Sequence, residues 1–273
     1  MIKSWIAAGF LAVVASVSHA AGSSELKSLI TGSDNRGWEA VGRLNFARQS
    51  FCTGALIEAD LVLTAAHCLF DRDSGRRFDV SEIEFLAGWR NGRANAKGRV
   101  ARAIVHPAFD FQGQPQDVRV AFDLALLRLT QPIRKTSVVP FETQSRPRKG
   151  QQVGVVSYGH DRPDSPALQE VCHVLARRSG TLILSCEVES GSSGAPIFTV
   201  DDAGVARIVS VVSAMARIGE RDVSLGTSLE KPLADLMALM ANSDTAPQSS
   251  ATGVRVLNLG GTDGNGGAKF VRP

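Results

Sequence analysis

With 273 residues, 44% of them hydrophobic and 21% charged, the chain is long enough to enclose one large core or two smaller ones. Its net charge is only +3, and the basic residues are scattered along the sequence instead of gathered into a block that would track phosphates. Nucleic acid is therefore not an expected partner, and no segment beyond the amino terminus is long and apolar enough to cross a bilayer.

The amino terminus reads MIKSWIAAGFLAVVASVSHA, with Lys3 ahead of an apolar run from Trp5 to Val17 and small residues at the two positions before the cut that a signal peptidase reads, Ser18 and Ala20. Residues 1–20 are read as a secretory signal, shorter in its apolar run than the ~20 residues of a comfortable span. The expected location is secreted or periplasmic, with no membrane attachment once the signal is removed. Export agrees with an even count of four cysteines, for which three pairings exist. Closeness in sequence favours Cys52 with Cys68 and Cys172 with Cys186, each bridge contributing about 3 kcal/mol. Neither C-x-x-C nor H-x-x-x-H spacing occurs, so no metal site is expected.

Short runs rich in Val, Ile and Leu follow one another between turn signals: AVGRLNF from 40, FCTGALI from 51, IEFLAGW from 83, RVARAIVH from 99, LALLRL from 124, QVGVVSY from 152, TLILSC from 181 and ARIVSVVSAM from 206. That spacing predicts an all-β sandwich or barrel. Lys231 to Asn242 alone reads as a clear helix, with Leu233, Leu236, Met237 and Met240 on one face and Pro232 in the first turn. Residues 243–273, rich in Ser, Gly, Thr and Asp, read as a largely disordered tail.

Three stretches carry candidate chemistry. Thr64-Ala65-Ala66-His67-Cys68 sets a histidine directly after an apolar strand. Asp123 heads the apolar run LALLRL, where a carboxylate could hold an imidazole in one tautomer. Glu189-Ser190-Gly191-Ser192-Ser193-Gly194-Ala195-Pro196 gathers three serines between glycines. Attack by a serine needs a base, a carboxylate to orient the base, and donors aimed at the developing oxyanion.

In the order TAAHC, DLALLRL, GSSGAP, the chain resembles the chymotrypsin-like (trypsin-fold) serine peptidases from about Val41 to about Ala241. CTGALIEADLVLTAAHC spans the family's first disulfide loop, while VHPAF from 105 and SYGH from 157 are fainter matches. The resemblance implies two six-stranded antiparallel β-barrels with a C-terminal helix, spanning residues 37–242. It implies Ser193 as nucleophile, His67 as general base and then acid, Asp123 as the group that orients His67, and an oxyanion hole from the N–H groups of Gly191 and Ser193. Ser213 matches the strand edge to which an extended substrate adds, with Ser210 as a rival register. The implied activity is serine endopeptidase action on proteins or peptides, without a cofactor. A peptidase-fold protein that only binds proteins is the alternative. An α/β-hydrolase esterase would need Asp and His downstream of the serine, whereas both lie upstream.

Counted back from Ser193, Glu187 matches the acid of the trypsin-like specificity pocket and implies a preference for Arg or Lys, with Glu189 as rival. The short G-x-S-G form is also similar to the bacterial glutamyl endopeptidase branch, although no histidine follows His173. Where the trypsin-like branch has Asp before its nucleophile, paired with a freed terminal ammonium, this chain has Ser192. RGWEAVG from 36 also lacks the family's I-V-G-G. Residues 21–36 are accordingly expected to be at most a short propeptide that covers the domain.

Overall fold

A computed structural model describes residues 23–46, 50–113, 116–144 and 147–245; the expected signal, and the expected tail from 246 onward, lie outside them. Strand β1 (Lys27–Ser28) is followed by a first closed barrel of β2 (Val41–Phe46), β3 (Ser50–Glu58), β4 (Leu61–Thr64), β5 (Ile83–Ala87), β6 (Ala96–Val105) and β7 (Ala125–Leu129). Its antiparallel order is β2-β3-β4-β7-β6-β5, and β5 closes on β2. The apolar runs of the sequence supply its interior, with Leu44, Phe46, Leu56, Val62, Phe85 and Leu126 all buried. Between β6 and β7 stands a short helix, α1 (Gln116–Ala121).

The second barrel comprises β8 (Gln152–Gly159), β9 (Arg162–Arg178), β10 (Thr181–Leu184), β11 (Pro196–Val200), β12 (Ala206–Ile218) and β13 (Arg221–Ser228). The order β9-β10-β13-β12-β11-β8 closes through pairing of β8 with β9. Helix α2 (Glu230–Thr245) buries Leu233, Leu236 and Met240 in the hydrophobic cluster of the first barrel, so the chain returns to where it began. Between the barrels, Trp38 packs edge-on against Phe198 at 5.0 Å, with Phe141 6.0 Å from it. The implied architecture of two six-stranded barrels and a C-terminal helix is thus present. Both disulfides form, Cys52 with Cys68 and Cys172 with Cys186, the pairing that closeness in sequence favours. Among the described residues no helix is long and apolar enough to cross a membrane.

Two boundaries differ from the sequence reading. The helix runs to Thr245, so residues 243–245 expected in the tail are helical. Residues 23–36, read as at most a short propeptide covering the domain, pack onto the second barrel and the core. Ser24 N–H donates to Val171 O at 2.7 Å, β1 pairs with β9, and Leu29 is only 1% exposed within the core. Stripping this segment would uncover buried apolar surface and open an edge of β9. Leu29→Ala is expected to destabilise the protein by about 2–5 kcal/mol, measured by urea unfolding with the disulfides intact; a loss under about 0.5 kcal/mol would return the segment to the role of a loose cover.

Candidate active site

Asp123 lies between α1 and β7 with its side chain 3% exposed. A carboxylate so placed must be met by donors, and three converge on it. Oδ1 accepts the His67 main-chain N–H at 2.8 Å. Oδ2 lies 2.6 Å from His67 Nδ1 and also accepts a short bond from Ser213 Oγ. Since an ionised carboxylate only accepts, Nδ1 is the donor in this pair.

His67 is delivered by a single 3-10 turn, Ala66–Leu69, directly after β4. The Cys52–Cys68 bridge ties that turn to β3, so both imidazole and backbone are held. Cys52 and Cys68 come close enough to His67 to resemble a metal cluster, but both sulfurs are taken up in the disulfide and offer no thiolate.

Ser213 reaches Asp123 because β12 is bulged. Val212 stands opposite Gly226 and Ala214 opposite Leu225, which leaves Ser213 as the extra residue. A bulge of this kind re-aims a side chain. Ser210, the rival register, instead donates to Thr227 O at 2.8 Å and does not line the cleft. The hydroxyl of Ser213 is thus committed to Asp123, leaving its main chain at the cleft wall.

Ser193 occupies the turn between β10 and β11 and opens on the same cleft, of about 340 Å3, as His67. No hydrogen bond joins their side chains among the described residues, a looseness common in substrate-free sites. Alternate amides of the turn are used internally: Ser192 N–H donates to Glu189 O at 3.0 Å and Gly194 N–H to Val212 O at 2.8 Å. Those of Gly191 and Ser193 have no acceptor among the described residues. Gly191 has φ +97°, and a Cβ there would come within 2.7 Å of the Phe51 ring. Gly194 has φ +79°, and a Cβ would lie 2.2 Å from Thr53 O, so glycine is required at both.

Thr53, which sequence reasoning passed over, pins this turn from β3. Its N–H donates to Ser193 O at 2.8 Å and its hydroxyl to Gly191 O at 2.9 Å, while that hydroxyl accepts Tyr158 N–H at 3.0 Å. The available signal was a polar residue inside a strand that is otherwise apolar. Ser192 is fully buried, and its hydroxyl accepts Glu189 N–H at 3.3 Å and donates to Tyr158 O at 3.1 Å.

The two acids weighed for a basic-residue preference, Glu187 and Glu189, line different cavities. Glu187 is exposed and lines a neighbouring cavity with His173, Arg217 and Arg221, outside the cleft of His67 and Ser193. Glu189 does line that cleft, but it is paired with Arg162 at 3.1 Å. Burial raises the Glu189 carboxyl above its ordinary value, nearby Asp161 adds to this, and Arg162 opposes it. Val188, Val212, Ala214 and Met215 supply an apolar wall.

A family model described as Trypsin matches residues 31–224. Serine protease 23 of Rattus norvegicus is 28% identical over 207 residues, covering 66% of this chain and 53% of the relative. Serine protease 56 of Homo sapiens is 30% identical over 141 residues, 49% of this chain and 22% of the relative. Chymotrypsin-like elastase family member 1 of Canis lupus familiaris is 34% identical over 88 residues, 32% of this chain and 31% of the relative. The chain thus spans about half the length, or less, of these curated relatives. A solved structure of Glu endopeptidase in complex with MPD superposes with a TM-score of 0.61 at 17% identity, covering 76% of this chain and 94% of that one, a likeness of fold.

Replacing Thr53 by Val keeps the volume and removes one hydroxyl, leaving Gly191 O and Tyr158 N–H without their partner. A loss of about 1–3 kcal/mol in urea unfolding is expected. An unchanged midpoint would mean that the turn stands without this pin.

Proposed function

The chain belongs to the trypsin family, and from that premise we propose that it is an exported serine endopeptidase, acting in the periplasm or outside the cell. The observation that carries the proposal is the shared carboxylate of Asp123, which accepts from His67 and Ser213 beside the cleft on which Ser193 opens.

In this reading Ser193 Oγ attacks the scissile carbonyl carbon while His67 Nε2 takes its proton. The carbonyl oxygen becomes an oxyanion, which the N–H groups of Gly191 and Ser193 would receive, each such donor being worth about 3 kcal/mol of transition-state stabilisation. His67 then passes its proton to the leaving amine, and an acyl group remains on Ser193. Water, deprotonated by His67, releases the acid product and restores the serine. Throughout, Asp123 holds one tautomer and stabilises the imidazolium. The substrate main chain would lie along Ser213 to Met215 as an added strand. The apolar wall of Val188, Val212, Ala214 and Met215 favours an apolar side chain before the scissile bond.

The test is digestion of a peptide library by the wild type, Ser193→Ala, His67→Ala and the double variant, with products read by mass spectrometry. Wild type is expected to cut after apolar residues, each single variant to lose most turnover, and the double variant to lose little more, because the groups act as a unit. Wild-type turnover in Ser193→Ala would overturn the assignment of the nucleophile, and a wild type that cuts nothing in the library would leave a peptidase-fold binding protein. Cuts dominated by Arg or Lys would contradict the apolar preference and point to an acid, Glu187 or its rival Glu189, as the selecting group.

A further inference from the structure

Behind the turn that carries Ser193, four residues close a ring of polar contacts. Arg162 Nε lies 3.1 Å from Glu189 Oε1. Its Nη1 donates a short bond to Ser157 O, and its Nη2 donates to Ser157 Oγ at 3.1 Å. Ser192 Oγ lies 3.2 Å from Ser157 Oγ, and Glu189 N–H completes the ring at Ser192 Oγ, 3.3 Å away. The ring joins the end of β8, the first residue of β9 and the nucleophile turn.

The cation in this ring is largely withdrawn from water, with the Arg162 side chain 13% exposed. The Glu189 side chain is 31% exposed and meets Arg162 as an ion pair without a hydrogen bond at Nε, so the pair is half-withdrawn from water and costs more to break than a surface pair. A second acid, Asp161, lies 3.6 Å from Arg162 Nε, but it is 69% exposed and well solvated. Space for the Glu189 carboxylate comes from Gly159, where a Cβ would lie 1.7 Å from Oε1.

In the trypsin-like branch a freed terminal ammonium pairs with the acid that precedes the nucleophile, and that pairing shapes the oxyanion hole. Ser192 carries no charge to receive one. Among the described residues, none from 23 to 40 bonds to the Glu189–Ser193 turn; Ser23 and Ser24 instead bond to Ser185, Gln169 and Val171. We infer that Arg162 is the positioning residue that stands in for the terminal ammonium: an internal cation that holds the turn through Glu189 and through Ser157 and Ser192. The N–H groups of Gly191 and Ser193 are then kept free for substrate without any cut in the chain. The catalytic consequence rests on the proposed role of Ser193; the conformational one does not.

The experiment compares wild type, Arg162→Lys and Arg162→Ala by two readouts, ester hydrolysis and amide hydrogen exchange followed by NMR. For Arg162→Ala, kcat is expected to fall about tenfold or more with KM within about threefold, as for a group that shapes the transition-state site only. Low-millimolar guanidinium chloride should restore part of that loss in Arg162→Ala and nothing in wild type, and Arg162→Lys should fall between. The amides of Ser192, Ala195 and His160 should exchange about tenfold faster in Arg162→Ala while those of the β12 core are unchanged. A kcat within about twofold of wild type, or unchanged exchange at those amides, would overturn the inference. If Arg162→Ala does not fold, Glu189→Gln keeps the volume, removes the charge partner and carries the same expectations for kcat and for amide exchange, without the guanidinium rescue and with no constraint on KM, since Glu189 lines the cleft. A wild type inert toward esters and peptides would count against the peptidase reading alone, and the exchange measurement would still decide the clamp.

Discussion

The buried carboxylate of Asp123 is the constraint around which the rest is arranged. Desolvating an ionised carboxylate costs several kcal/mol unless donors surround it. Here the donors come from separate parts of the chain: the 3-10 turn after β4 and the bulge in β12. The first of these belongs to one barrel and the second to the other. Satisfying one charge therefore requires both barrels to be closed and correctly apposed, which makes the site a property of the whole fold.

The turn that carries Ser193 has a second feature, that some of its amides stay unused. Most buried N–H groups in a folded protein are paired. In this turn the amides of Ser192, Gly194 and Ala195 follow that rule, and those of Gly191 and Ser193 do not. Such a pattern persists only if the surrounding structure over-determines the backbone. Thr53 grips the carbonyls from the first barrel, and the ring of Arg162, Ser157, Ser192 and Glu189 grips from behind. The positive φ values of Gly191 and Gly194 let the chain pass between these two holds.

Much of this was legible in the sequence because the strands with strong apolar runs announce themselves, and because TAAHC, DLALLRL and GSSGAP keep the order of a recognisable family. What was not legible has a physical cause in each case. β9 contains Pro163, Pro166 and many polar residues, and its partners on either side supply the order that its own pattern lacks. β13 reads RDVSLGTS, too polar to be called a strand in isolation, yet it is gripped by β10 and β12. Counting back from Ser193 gives a position in the chain and no direction for the side chain, and Glu187 faces outward into a neighbouring cavity. Arg162 carries no motif at all. Its role arises from burial beside Glu189, a pairing between residues 27 positions apart that only the closed second barrel creates.

The central claim is that the Asp123 contacts make Ser193, among the three serines of its turn, a nucleophile. Covalent labelling by a fluorophosphonate, timed by intact mass and located by peptide mapping, tests it in wild type and Asp123→Asn. The account predicts one phosphonyl group per chain, on Ser193, forming roughly three to four orders of magnitude more slowly in Asp123→Asn, where the wrong imidazole tautomer is held. Labelling on Ser190 or Ser192, or equal rates in the two proteins, would contradict it.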